Sequence, residues 1–563
     1  MAVTAAFTSI FYSVTILRTL DDELMMVSET PISTHNLMVA CFEDNSAGWL
    51  QGPRHGNLQD PLMQDNYGER MILRLGHMLE SARDVLEQSL CHKDSRLLQM
   101  ESSNTSIRMW TVRLVYLAVY YHQHQPALAE ARLQSQESGC EKARSDHDLS
   151  TYDYECPSTK YLAVSLWNNG IGANMEHVAI PTLKAGLALN RTVIFVSKAS
   201  EGPNWIIKHP WSLASCSRRD PQCFFAPLTP CVPAVADLAK ARSLKKNEKA
   251  QLFATGSLPA KYEHDRVVYM LALHKYNDNS LGGKLKPALQ TISRTIIDQL
   301  PPSDPRNDIL RKAVEAIMES DGPRPGYDFQ GATSKIHHAM VFYAMRPNLS
   351  YQQRIDQILA DVLPSTFVPD EAIGLPIRAS DKCLRESECL TFEQHVMVAS
   401  RVWAKVATGS TDSMRDASIV FTTESTAMQE AQRLLAGNAS AHSKFPAFRF
   451  VTNSHDVTPD SGRFSDVAKN VSADEAMLSA ISSLKLQLMS RVSVGNCCSN
   501  YHRMLHDYLS EGCGAASDSH FHCLQEDPDP ELRVCCFKAK SCIQKREQEI
   551  AERALMGNTT LRV

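Results

Sequence analysis

The sequence lacks the short signatures of several common enzyme classes. It contains no GxxxxGK(S/T) phosphate loop, no GxGxxG dinucleotide fingerprint, no HExxH zinc motif and no GxSxG nucleophile elbow. Each of these motifs supplies a defined chemical function at a fixed spacing. The sequence therefore gives no support to an ATPase, a zincin or an α/β-hydrolase.

Positive charge is not in excess, and long apolar runs are scarce. The 58 Lys and Arg face 63 Asp and Glu, a net charge of −5, which argues against a nucleic-acid-coating protein. Residues 2–17 are uncharged but number 16, short of the roughly 20 that span a bilayer. No Lys or Arg precedes them, so the run lacks the cationic region of a signal peptide and the usual orientation signal of a signal anchor. The predicted alternatives for residues 1–17 are a signal anchor and a truncated signal. A single anchor is the one membrane topology that the sequence leaves.

Among sixteen cysteines there is no CxxC pair. The cysteines instead form local clusters that favour short disulfide loops, at 216–231, at 383–389 and in the tail at 513–542. Six Asn-x-Ser/Thr sequons also favour a partly disulfide-bonded protein of the secretory lumen. The alternative is a cytosolic protein with buried free thiols.

Three histidine and cysteine groups have competing interpretations. His520, His522 and Cys523, with the other tail cysteines, could form a zinc site, but their spacing favours disulfides. We expect the adjacent Cys497 and Cys498 to be buried thiols rather than nucleophiles. The pair at 337–338 lies on an apolar helical face, so we expect both histidines to be packed.

Length and pattern predict several domains. At 563 residues the chain is long enough for two or three. Apolar residues at helical spacing predict a helical stem, and later segments alternate between strands and helices. The predicted division is an N-terminal signal at 1–17, a helical stem at 18–150, an acceptor-side Rossmann-like domain at 151–365, a GDP-sugar-binding Rossmann-like domain at 366–515 and a Cys-rich tail at 516–563.

Two segments predict parallel sheets. In the first, a strand at 161–167, a loop with Gly170 and Gly172, a helix to residue 190 and a strand at 192–196 form a β-loop-α-β unit. A loop that opens a helix is a natural anion or sugar pocket, although the two glycines could simply make a tight turn. In the second, strands at 372–377, 418–422, 449–451 and 492–494 alternate with helices and predict a doubly wound sheet with its ligand at the carboxyl ends.

Charged residues crowd the chain directly behind the strand at 372–377. They are Arg378, Asp381, Lys382, Glu386 and Glu388. The two cations could hold a pyrophosphate, and a carboxylate could take a proton from an attacking hydroxyl. The alternative is a solvated turn with an internal salt bridge.

These residues also resemble a known family. The run from Pro376 through Arg378, Asp381 and Lys382 to Glu386 resembles the first motif of the α-1,6-fucosyltransferases. The segments at 343–348, 420–424, 452–462, 498–503 and 169–192 resemble further segments of that family in the same order. The chain, over roughly 160–515, is thus similar to a divergent, α-1,6-like branch of the GDP-fucose fucosyltransferase superfamily.

The resemblance implies a fold and an activity. It implies an α/β fold of two Rossmann-like halves, GT-B-like, behind an N-terminal helical stem. It also implies an inverting transfer of fucose from GDP-fucose to a glycan or glycoprotein acceptor, without a cofactor or metal, in the Golgi. No nucleic acid is implied as a partner.

Residue roles follow from the same resemblance. Arg378 would hold the donor β-phosphate, with Lys382 and Asp381 shaping that pocket, and Glu386 would be the general base. Ser499 and Asn500 would stabilise the leaving pyrophosphate at a helix start. Three further positions are assigned to the donor site: Glu424, Gly170 and Gly172. Arg346 would be an acceptor-side or structural cation.

Two alternatives stay open. Pro376, Ala379 and Ser483 replace the family's leading His, second Arg and guanine-contacting Asp, which keeps open a catalytically inactive glycan-binding or scaffold protein. A cell-wall type of fucosyltransferase would share the donor site but use a polysaccharide acceptor. The sequence does not separate these acceptors.

Overall fold

The structure is a computed structural model of the 563-residue chain. It describes residues 107–108, 110–126, 154–165, 171–196, 221–229, 231–271, 281–298, 302–303, 307–319, 334–379, 388–406, 417–437, 448–456, 472–512, 521–536 and 539–560. All of these fall in one compact unit, Gly76–Leu128 with Asp153–Val563. Within these segments no helix is both long and apolar enough to cross a membrane. The predictions for residues 1–17 and for most of the stem lie outside them.

The first half of this unit is built on a four-stranded parallel sheet in the order β3-β2-β6-β5. Its strands are β2 (Tyr161–Ser165), β3 (Thr192–Phe195), β5 (Arg242–Ser243) and β6 (Val267–Leu271). Two shorter strands, β1 (Tyr154–Glu155) and β4 (Cys231–Val232), pair separately. The chain moves from β2 to β3 and later returns to the other side of β2, so the strand order reverses between β2 and β6.

Helices surround this sheet. The first, α1 (110–126), is followed by α2, which runs as Ile171–Asn174, a π-helical turn at Met175–Ala179, and Ile180–Leu189. The remaining helices of this half are α3 (Val235–Lys240), α4 (Lys246–Thr255), α5 (Leu285–Ile297), α6 (Asn307–Ala316), α7 (Ser334–Ala344) and α8 (Leu349–Val362). Helix α2 ends at Asn190, whose left-handed backbone (φ 51°) terminates the helix before β3.

Helix α1 belongs to the predicted stem but packs inside this half. The Gln123 side-chain carbonyl accepts a hydrogen bond from the Val193 N–H of β3 at 2.9 Å, and Thr111 donates to the Ala313 carbonyl of α6. Leu114 and Val115 are fully buried. The helix is therefore part of the same packed unit as the sheet, while the other predicted domain limits stay predictions.

The second half holds a five-stranded parallel sheet in the order β11-β10-β7-β8-β9. Its strands are β7 (Ala372–Ile377), β8 (Ser418–Thr423), β9 (Arg449–Thr452), β10 (Val492–Gly495) and β11 (Phe521–Cys523). Its helices are α9 (Phe392–Val406), α10 (Thr426–Gly437), α11 (Ala473–Leu488), α12 (Asn500–Gly512) and α13 (Lys540–Thr560). The predicted α/β fold with a doubly wound parallel sheet is confirmed.

Both faces of the second sheet are covered, because successive side chains of a strand point to opposite faces. Ile373, Leu375 and Ile377 of β7 pack with Trp403 of α9. On the other face, Ala372 packs with Leu486 of α11. A fully buried strand explains why β7 is a continuous apolar run in the sequence.

The disulfides correct two predictions. Cys231 pairs with Cys156, 75 residues away, rather than within its local cluster, because β1 and β4 are neighbouring strands. The adjacent Cys497 and Cys498 are not free thiols: they pair with Cys523 and Cys536. The expected short loop does occur in the tail, between Cys535 and Cys542. None of the described cysteines is free.

One predicted glycosylation sequon has a structural role instead. Asn348 is the N-cap of α8, and its side chain accepts from the Tyr351 N–H at 2.9 Å. Its amide nitrogen donates to the backbone carbonyls of Gln222 and Cys223. Because that nitrogen is engaged in the fold, this sequon does not support glycosylation.

Candidate functional site

Polar residues follow four neighbouring strands of the second sheet where each strand ends. Arg378 follows β7, Glu424 follows β8, Asp456 comes shortly after β9, and Ser499 comes shortly after β10. The carboxyl ends of parallel strands meet at one edge of a sheet, and ligands bind where the strand order reverses. Here the order reverses between β7 and β10, so Arg378 and Ser499 flank the position where a ligand is expected.

Arg378 and Glu424 form an ion pair across the ends of β7 and β8. The Arg378 Nε donates to Glu424 Oε1 at 3.0 Å, and their side chains are 30% and 20% exposed. The carboxylate fixes the plane of the guanidinium, a group whose forked donors match phosphate oxygens. The structure thus brings two of the predicted donor-site residues together.

Asp456 is a site residue that sequence reasoning missed. Its carboxylate accepts from the Thr423 N–H at 2.9 Å, from Asn453 Nδ2 at 3.2 Å and from the Ser483 hydroxyl. Burial of the carboxyl group raises the pKa of Asp456 to about 7, and the nearby Glu424 charge adds to this, while the hydrogen bonds oppose it. The residue lies just past β9, within the segment 452–462 that resembles the family, but the sequence reasoning assigned it no role.

Ser483, the position expected to contact guanine, is engaged in the same network. Its hydroxyl donates to Asp456 and accepts from Asn453 Nδ2 at 2.8 Å. The hydroxyl is therefore held by the protein's own residues, and the carboxylate nearest to it belongs to Asp456.

The turn after β10 carries the second predicted phosphate-binding group. Ser499 is the N-cap of α12, since its carbonyl accepts from the Arg503 N–H at 3.0 Å. Its side-chain hydroxyl is buried and has no hydrogen-bond partner among the described residues, and the whole residue is 2% exposed. A buried unsatisfied hydroxyl costs roughly 1–3 kcal/mol. A helix N-terminus also attracts anions, so both features suit a bound phosphate oxygen.

Helix α12 begins where α2 of the first half begins. A Cβ added at Gly172 would lie 2.6 Å from the Tyr501 nitrogen and 2.8 Å from the Asn500 carbonyl carbon. The absence of a side chain at Gly172 therefore lets the two backbones touch. Two helix N-termini converge at this point, and their dipoles reinforce one another for an anion.

The π-helical turn of α2 adds ionisable groups to this contact. Glu176 accepts from His337 Nε2 at 3.1 Å, and both residues are buried. Burial lowers the pKa of His177, and the charges of Arg503 and His337 add to this while Glu176 opposes it. His338 is also buried, so the prediction that the 337–338 pair is packed is confirmed.

Arg346 is held within the first half. Its Nε donates to the Tyr343 carbonyl at 2.9 Å, its Nη2 to the Pro227 carbonyl at 3.2 Å, and its guanidinium lies 4.1 Å from the Tyr343 ring centroid. Burial, with the Arg346 charge adding to it, lowers the pKa of His124 to about 3. These contacts favour the structural role that was one of its two predicted roles.

Four predicted site residues lie outside the described residues: Gly170, Asp381, Lys382 and Glu386. Glu388, next along the described chain, is bound by Arg546 of α13 through both carboxylate oxygens. A cavity at the end of β7 is lined by Arg378, Ala379, Glu388 and Asn496 among others. This cavity therefore lies where residues 378–379 leave β7, at the edge of the second sheet that carries the candidate site.

The structure excludes the zinc interpretation of the tail as proposed. Cys523, Cys535 and Cys536 are disulfide-bonded, so their sulfurs are not available as thiolate ligands. His522 binds the Asp527 carboxylate at 3.0 Å. In the described part of the chain, no group of three or more His, Cys, Asp or Glu residues could hold a metal ion.

Comparisons with known proteins give distant likenesses. No family model and no curated protein matches the chain. An Arabidopsis thaliana FUT1 mutant in complex with GDP is similar at 9% identity and a TM-score of 0.32, with 78% of each chain covered. POFUT1 in complex with GDP is similar at 11% identity and a TM-score of 0.29, over 65% of this chain and 99% of POFUT1.

Proposed function

We propose that this protein is an inverting glycosyltransferase that moves fucose, or a related sugar, from a GDP-sugar to a glycan or glycoprotein. The observation that carries the proposal is that Arg378 and the N-terminus of α12 follow β7 and β10, the two neighbouring strands between which the order of the sheet reverses. A cation and a helix N-terminus are the groups that a leaving pyrophosphate needs. The motif resemblance supplies the sugar and the nucleotide.

The transfer is a single displacement. The acceptor hydroxyl oxygen bonds to the anomeric carbon as the bond from that carbon to the pyrophosphate oxygen breaks, which inverts the configuration. Glu386 takes the hydroxyl proton, and Arg378, Lys382 and Ser499 stabilise the negative charge that develops on GDP. Asp381 shapes the phosphate pocket, and Asn500, Glu424, Gly170 and Gly172 complete the donor site. No metal is needed in this scheme, because cations and amide dipoles stabilise the leaving group.

We infer that the protein resides in the secretory pathway, in the Golgi or a related lumen, with residues 1–17 as a signal anchor or a truncated signal. The disulfides Cys156–Cys231 and Cys498–Cys536 support an oxidising compartment. An α-1,6 linkage on an N-glycan is the acceptor that the resemblance favours.

A second candidate function is a catalytically inactive glycan-binding protein with the same fold. Position 483 favours this second function. Ser483 has no carboxylate to contact guanine, and its hydroxyl is already hydrogen-bonded to Asp456 and Asn453. Such a protein would bind glycan but would not release GDP from a donor.

Sugar transfer separates the two. Purified full-length protein is incubated with GDP-fucose or GDP-mannose, with and without N-glycan acceptors, and products are identified by mass spectrometry. We expect an acceptor product that is 146 Da heavier, the mass of a deoxyhexose residue, with GDP-fucose. Glycan binding with no product from either donor would favour the inactive protein.

A further inference from the structure

The C-terminal segment that was predicted as a separate Cys-rich tail lies against the candidate phosphate site. Its strand β11 pairs in parallel with β10, so Gly495 at the end of β10 is opposite Cys523. The turn at 496–499, here called the switch-point turn, follows directly and ends at Ser499. The tail thus completes the sheet edge on which the turn sits.

One tail side chain braces this turn. The Gln525 side-chain carbonyl accepts from the Cys497 N–H at 2.8 Å, and its amide nitrogen donates to Asn496 Oδ1 at 2.6 Å. Asn496 Oδ1 also accepts from the Cys498 N–H at 2.9 Å. Gln525 and Asn496 therefore fix the two backbone amides that precede Ser499.

Two disulfides fasten the same turn at consecutive residues. Cys497 is bonded to Cys523 and Cys498 to Cys536. The tail in turn is tied to α9, because the buried Asp527 carboxylate binds Arg401. The tail that holds the switch-point turn is therefore itself bound to α9.

We propose that Gln525 is a positioning residue for a nucleoside diphosphate, acting through the switch-point turn together with the two disulfides. The inference rests on the proposed function. Ser499 has a buried hydroxyl without a described partner and caps α12, so its placement sets the distance to the diphosphate oxygens. Misplacement of such groups by about 1 Å can cost on the order of 100-fold in rate.

The test uses full-length protein, GDP as the probe and three substitutions. Gln525→Ala removes the brace, Gln525→Glu keeps its length but adds a negative charge, and Gln548→Ala is the control on an exposed face of α13, where Gln548 contacts Glu552. GDP affinity is measured by calorimetry at 25 °C, with kcat and KM for GDP-fucose and the melting temperature of each variant.

We expect Gln525→Ala to weaken GDP binding about 10-fold, because displacement of the turn would remove the charge-assisted hydrogen bond between Ser499 and the diphosphate. Gln525→Glu should weaken it further, and that additional loss should shrink at high ionic strength because it is electrostatic. Gln548→Ala should match the wild type. If Gln525→Ala does not fold, Cys498→Ser with Cys536→Ser removes one fastening and should weaken GDP binding several-fold.

Two results would overturn the proposal in different ways. If the wild type binds GDP and the Gln525 variants change the melting temperature alone, Gln525 is structural and the proposed function stands. If the folded wild type does not bind GDP, the proposed function itself fails, and the positioning role fails with it.

Discussion

Gly172→Ala would place a methyl group between two backbones that touch. The new Cβ would lie 2.6 Å from the Tyr501 nitrogen, about 0.8 Å closer than the 3.4 Å of ordinary contact. Both neighbouring atoms belong to the backbone of α12, so neither can rotate away. Overpacking of this kind costs about 1–3 kcal/mol, against roughly 1 kcal/mol gained from the better helix propensity of Ala.

The same substitution should displace the N-terminus of α12 and with it Ser499. We therefore expect Gly172→Ala to lower the free energy of unfolding, measured by urea denaturation, by up to about 2 kcal/mol and to weaken GDP binding at least 10-fold.

Gly186→Ala is the matched control. Gly186 also lies in α2, and its Cβ would meet the Val193 side chain at 2.4 Å and the Arg191 carbonyl at 2.8 Å, away from α12. It should lower stability similarly and leave GDP affinity unchanged. Wild-type stability and affinity in Gly172→Ala would refute the close approach, and an equal loss of affinity in both variants would refute its link to the site.

Three further predictions concern the second half. Because the pKa of Asp456 is raised above its ordinary value of 3.8 to about 7, its contribution to stability is fully present below pH 4 and is lost as the pH rises through 7. Between pH 4 and pH 8 the free energy of unfolding of the wild type should fall by about 4 kcal/mol relative to Asp456→Asn, because a shift of about 3 pKa units is worth roughly 1.4 kcal/mol per unit. A rise would contradict the assignment. Glu386→Gln should keep GDP affinity and lose transfer, whereas Glu388→Gln should keep transfer because Arg546 already binds that carboxylate; the reverse pattern would make Glu388 the base. EDTA should leave the transfer rate unchanged, and loss of activity restored by a divalent cation would refute the metal-free scheme.

Strands β7 to β10 and helices α10 to α12 of the second half could be predicted because each carries a local signal, whereas the three-residue strand β11 was missed. Strand β7 is a fully buried apolar run and was predicted with its limits at residues 372 and 377. Helix α11 begins with a capping box, in which Ser472 and Glu475 bond each other's backbone N–H groups. The two-residue strands β4 and β5 carry no such pattern, so pairing with a neighbour alone defines them.

The site residues that directly follow a predicted strand could be predicted from the sequence. The contacts between segments distant in the chain could not. Arg378 and Glu424 follow predicted strands of one sheet, so their proximity follows from the parallel order. The partners of Cys497 and Cys498 depend on where the tail folds back, which composition does not specify. Gln525 was missed for the same reason.

The most direct test of the account is GDP binding to the edge of the second sheet. Calorimetry compares the wild type with Arg378→Ala and with Arg433→Ala, a control on α10 whose side chain is 70% exposed and pairs with Glu430. We predict that GDP binds the wild type and Arg433→Ala equally and binds Arg378→Ala at least 100-fold more weakly, since the phosphate loses its cation. GDP binding of equal strength in Arg378→Ala would contradict the phosphate role of this edge.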